Sequence, residues 1–130
     1  MAASAAFAGL WRASAATEPL PERLVALHAL DIRVAKTGFR LATGGGVLCP
    51  EKVGQAGIVL TDLALYAGQD RADAVRLFRL AADPVITATV TDSPLSPGDA
   101  ILGVGGQRLG PADTKHPYAR IAAIESALEA

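Results

Sequence analysis

One cysteine, Cys49, stands alone in 130 residues, which excludes an internal disulfide and a multi-cysteine zinc site. No Cys-His pattern accompanies it, so a small buried hydrophobe is the expected role. Aromatic side chains are also scarce. With one Trp, two Tyr and three Phe, the core has to rest on Leu, Ile and Val. An excess of charge is missing too. The formal net charge is −1 and the basic residues are scattered, so bulk charge attracts neither nucleic acid nor an anionic membrane. No apolar run reaches the roughly 18–20 residues that span a bilayer.

What is present is a chain that can fold. Hydrophobic residues make up 51% and charged residues 19%, which supports a packed core over wholesale disorder. The length suits one ordinary domain, or one and a half small ones. Residues 1–16, MAASAAFAGLWRASAA, hold an apolar run of signal-peptide length followed by small residues with Ala-x-Ala spacing at Ala13 and Ala15. Export to the periplasm is therefore expected, with a cytoplasmic chain bearing an Ala-rich tail as the alternative. The leader gives way at the two prolines of residues 17–21.

From Glu22 the periodicity turns helical. Leu24, Leu27, His28 and Asp31 recur at spacings of three and four, and Ile32, Ala35, Phe39 and Ala42 continue the face. Gly38 interrupts it and Gly44-Gly45-Gly46 stops it, which predicts one broken helix or two short ones over residues 22–43. Residues 57–60 (GIVL) read as a short strand, and residues 61–66 as strand or turn. Asp70 is the expected N-cap of a helix with Ala74, Leu77, Phe78 and Ala81 on one face, ended by Asp83-Pro84.

Residues 85–90 (VITATV) are β-branched and predict a strand. Pro97 presets φ, Gly98 can take φ > 0, and Asp99 can bond nearby backbone N–H groups, so these three predict a sharp, self-braced turn. A second strand is expected over residues 100–104, with Ile101 and Leu102 entering the core. Gly105-Gly106 then predicts a hairpin turn. A last helix is expected from Asp113 or Thr114, with Pro117 in its first turn and Tyr118, Ile121, Ile124 (or Ala122) and Leu128 buried.

In this order, the strand, Ser93-Pro94, Pro97-Gly98-Asp99, the apolar strand and the glycine turn resemble the bacterial PDZ pattern. The likeness runs from about residue 85 to 130. It departs in two places: Leu95-Ser96 replaces a connector some six residues longer in the family, and Gly105 stands where an Asn is usual. A closing strand after the last helix is also missing. Upstream, DIRVAKTGFRLATGGGVLCP and GIVLTDLALY are similar to the N-terminal region of alphaproteobacterial PDZ-containing proteins, some described as membrane-associated zinc peptidases. Such a peptidase needs His-Glu-x-x-His, whereas His28 is followed by Ala29-Leu30 and His116 by Pro117-Tyr118. No metal, cofactor or catalytic residue is therefore expected in this chain.

The expected fold is α+β: a helical N-terminal region (residues 22–82, with one short strand) followed by a partial PDZ-like β unit with a capping helix (residues 83–130). The resemblance implies binding of a peptide or protein C-terminus by strand addition. Residues 57–60 or residues 78–82 could offer the strand edge; the first fits better, because a glycine leads it. The expected groove is then Gly57, Ile58, Val59 and Leu60 opposite Tyr118, Ile121 and Ala122. The competing readings are a non-catalytic N-terminal part of a membrane-associated zinc peptidase, and a small interaction protein that presents the helix of residues 22–43.

Overall fold

A computed structural model describes residues 19–51 and 54–129. The leader expected over residues 1–16 lies outside the described residues. The fold is α+β, with helices at both ends of the described chain and two small antiparallel sheets between them.

Helix α1 runs unbroken from Glu22 to Gly44. Gly38 does not interrupt it. A single helical glycine costs only about 1 kcal/mol relative to alanine, and half-buried Ile32, Ala35 and Phe39 hold the helix on both sides of it. The glycine triplet acts as expected: the α-helix ends at Gly44 and tightens into a 3-10 turn over Gly45–Leu48. Cys49, expected inside, is exposed, because the chain leaves the core at this turn.

Strand β1 (Ile58–Thr61) follows, then a 3-10 turn at Leu63–Leu65. The Asp62 carboxylate caps that turn, accepting the Ala64 N–H at 3.1 Å. Helix α2 spans Gly68–Phe78 with Ala67 at its cap. Asp70 is thus not the N-cap but a first-turn residue, where a carboxylate complements the helix dipole; there it meets Arg23 at 3.3 Å. The helix also ends before Asp83-Pro84, since Arg79 takes a left-handed conformation (φ 55°) and turns Leu80 into the core. Ala81 is exposed in consequence, and residues 78–82 are a helix end and a loop, not a strand.

Strand β2 (Val85–Thr89) pairs antiparallel with β1, Thr61 opposite Val85 and Ile58 opposite Thr89, with a bulge near Thr87. The pairing crosses the boundary expected between residues 82 and 83. The other edge of β2 receives the Pro97-Gly98-Asp99 turn. Gly98 N–H donates to the Ile86 carbonyl at 2.7 Å, and Ile86 N–H donates to Asp99 at 2.9 Å. Gly98 has φ 97°. The Asp99 carboxylate accepts the Ser96 N–H at 2.8 Å.

The strand expected over residues 100–104 is shorter than its pattern. Ala100 bridges Val85 and Ile101 N–H reaches the Pro84 carbonyl at 2.8 Å, but the chain then diverges from β2. Leu102 is left 52% exposed, not buried, and Ile101 is half-buried. Only Gly103–Val104 (β3) and Gln107–Arg108 (β4) form the hairpin, closed by Gly105-Gly106. Helix α3 begins at Ala119 and runs to Glu129. Its start is later than expected because Asp113 supplies a competing turn, accepting Lys115 N–H at 2.8 Å and meeting His116 Nδ1 at 2.8 Å. Pro117 therefore precedes the helix.

The core joins α1, α2 and β2. Leu24, Ala74, Leu80 and Val85 are buried together, with Leu63, Tyr66, Leu77 and Phe78 packed on them. Ile86 and Ile124 are also fully buried.

Candidate functional site

Among the described residues, β1 has β2 on one side and no strand on the other. Its Gly57 carbonyl accepts Val90 N–H at 2.8 Å and its Val59 carbonyl accepts the Thr87 hydroxyl at 3.3 Å, so residues 57 and 59 face β2. Backbone alternation turns the N–H and C=O groups of Ile58 and Leu60 to the open edge. Gly57 itself takes φ 61°, and a Cβ there would lie 2.5 Å from Thr91 Cγ2 and 3.2 Å from the Phe39 ring. Only glycine lets the chain enter β1 at this point, beneath α1.

Beside the open edge is a cleft of about 370 Å³. β1 contributes Val59, Leu60 and Thr61, α3 contributes Ile121 and Ala122, and Tyr118 stands just before α3. A second, smaller cleft continues along the strand past Gly57, Ile58 and Leu60 to Glu125 and Leu128. The structure thus brings all seven expected groove residues to two adjoining clefts that share Leu60 and Glu125. Pro97, Gly98 and Asp99 sit apart from them, on the far edge of β2.

Two side chains expected on the buried face of the last helix are exposed. Tyr118 is 67% exposed and stands at the rim, while Leu128 is 39% exposed. Ile121 is 8% exposed, so it belongs to the core as much as to the wall. Sequence reading also missed the third wall, where α1 brings His28 and Asp31 to the cleft and Phe78 closes the end. The His28 and Phe78 rings meet edge to face, 5.0 Å between centroids. Tyr66 bonds the Thr61 hydroxyl at 2.8 Å. Burial pushes its phenol pKa above the ordinary 10.0, the Thr61 bond pulls it down, and the Asp31 charge pushes it up again.

What holds α3 against β1 is a buried ion pair that sequence reading also missed. Arg120 Nε and Nη2 donate to Asp62 Oδ2 and Oδ1 at 2.7 and 2.6 Å. Arg120 Nη1 donates to the carbonyls of Ala82 and Gly110, at 2.7 and 3.3 Å. Hydrogen bonding to Asp62 raises the Arg120 pKa further still, against the opposing effect of burial. The signal was an Arg inside the apolar face of α3, between Tyr118 and Ile124, and an Asp inside an apolar run.

Among the described residues, no three His, Cys, Asp or Glu gather as metal ligands, and no helix is long and apolar enough to cross a membrane. Compared with protein-family models, with curated proteins and with solved structures, the chain gives no significant match.

Proposed function

We propose that the chain is a non-catalytic binding module that takes an extended peptide segment along β1 by strand addition, as its resemblance to PDZ domains implies. One observation carries the reading: an unpaired strand edge faces a helix across an open cleft, with apolar side chains on both sides. The open N–H and C=O groups of Ile58 and Leu60 supply hydrogen bonds to a partner strand. Val59, Leu60, Ile121 and Ala122 supply apolar contact, and the buried Arg120–Asp62 pair keeps α3 at its distance.

The test is chemical-shift mapping with a library of extended peptides. Shifts at residues 57–60 and at Ala122 are expected. The exposed Ala122→Trp variant should weaken them, because a large side chain at this position fills the cleft; Ile121 is too buried for this purpose. Binding that leaves residues 57–60 untouched sinks the groove assignment.

A second reading, an interaction protein built around α1, has its own support. Leu30, Val34 and Leu41 share one face of α1 and are 51%, 72% and 71% exposed. Contact with another domain, such as the remainder of a peptidase, would cover such a face. Shifts confined to α1 in the same experiment would favour it.

A further inference from the structure

We infer that the β1–α3 groove selects an extended segment bearing basic side chains, and that it gains nothing from a free terminal carboxylate. The inference rests on the peptide-groove reading above and narrows its ligand.

The binding element is the open edge of β1; the charges around it decide what may lie there. The ionisable groups at the larger cleft are His28 and Asp31 from α1, Tyr66, Tyr118 and Glu125 from α3. Those of the adjoining cleft are Glu125 and Glu129. No Lys or Arg lines either one among the described residues. Three described cations on α1 and α3 are held elsewhere. Arg120 is closed by Asp62 and two carbonyls, and Arg23 pairs with Asp70. Arg33 lies with Leu30, Val34 and Leu41 on another face of α1.

Carboxylates therefore flank the groove from two walls. Glu125 stands where the two clefts meet, so a strand laid along β1 passes it whichever cleft its side chains enter. A Lys or Arg side chain suits this arrangement in both parts. Its aliphatic stem can lie on Leu60, Ile121 and the Phe78 ring while its charge reaches Asp31 or Glu125. The Tyr66 and Phe78 rings add faces a cation can approach. The end at Gly57, where the PDZ resemblance implies that a chain terminus docks, is the least suited to an anion. Its neighbours Glu125 and Glu129 repel a carboxylate, and no described cation offsets them.

Acetylated, amidated pentapeptides alternating valine with lysine, glutamine or glutamate test this, together with the lysine peptide as a free acid. Titrated into the full chain, the lysine peptide should shift residues 57–60 and Ala122 and bind about 10-fold tighter than the glutamine peptide, with the gap closing at high salt. Asp31→Asn and Glu125→Gln, both at exposed positions, should each weaken it by about 3-fold more than they weaken the glutamine peptide. The free acid should bind no tighter than the amide. If the glutamine or glutamate peptide binds as well as lysine, or the free acid binds much tighter, the selectivity is overturned while the groove stands. If no peptide moves the β1 and α3 resonances, the groove reading falls and the selectivity with it.

Discussion

Arg120 and Asp62, 58 residues apart in sequence, meet side-on through two hydrogen bonds of 2.6 and 2.7 Å in the interior. The Asp62 side chain is 0% exposed and that of Arg120 is 8% exposed. This pair fixes α3 against the end of β1, beside the cleft that the two share. Arg120→Ala should cost about 3–5 kcal/mol, because it leaves a buried carboxylate without its partner. Arg120→Lys should recover little, since an ammonium cannot make the paired bonds. Combining Asp62→Leu with Arg120→Met should restore part of the loss, limited by the Ala64 N–H and the Ala82 carbonyl. Urea denaturation measures all three, and a loss below about 1 kcal/mol for Arg120→Ala would count against the clamp.

Two glycines should resist substitution for different reasons. Gly98→Val should cost more than about 1 kcal/mol through backbone strain alone, since an added Cβ there meets nothing within 4 Å. Gly57→Ala should cost as much or more, because strain is joined by overlap with Thr91 and Phe39. An unchanged melting temperature in the Gly98 variant would show that the turn does not organise the sheet. Loss of peptide binding by a Gly57 variant that still folds would tie this entry point to the groove.

Alkaline pH should expose the burial of Tyr66. Its folded pKa lies above the ordinary 10.0, so the folded state holds the phenol proton more tightly than the unfolded state does. The associated stability is fully present below pH 10 and is lost as pH rises through the folded value. Tyr66→Phe should flatten that part of the stability curve, and at neutral pH should cost about 0.5–1.5 kcal/mol for the lost Thr61 bond. Parallel curves for the two proteins above pH 10 would refute the assignment.

In its native host the mature protein should begin near Thr17, after export. The motivation is the apolar run followed by Ala13 and Ala15. Mass spectrometry of the purified protein decides it. An intact Met1 or Ala2 terminus in a cytoplasmic fraction would refute cleavage.

Local pattern made much of this molecule readable. The face running through Ile32, Ala35 and Phe39 marked α1, β-branched residues marked β2, and the turn chemistry of Pro97, Gly98 and Asp99 gave both the bend and its positive φ. Seven residues were expected to form a groove from a strand pattern, a helix pattern and a family likeness, and the structure places all of them along two adjoining clefts. Errors gathered where two local preferences competed. Asp113 bonds its own neighbours and so delays α3 to Ala119. Arg79 takes the left-handed region and ends α2 before the proline that was expected to end it.

The sequence by itself determined the periodicities, the turn chemistry and the absence of a strong charge bias, because these depend on residues within one or two turns of each other. Only the tertiary structure decided that Asp62 finds Arg120, that α1 brings Asp31 to the cleft lined by β1 and α3, and that Ala100 bridges Val85 while Leu102 turns to solvent. Each of these joins residues distant in sequence. Neither partner carries a mark of the other, since what unites them is where packing places the backbone.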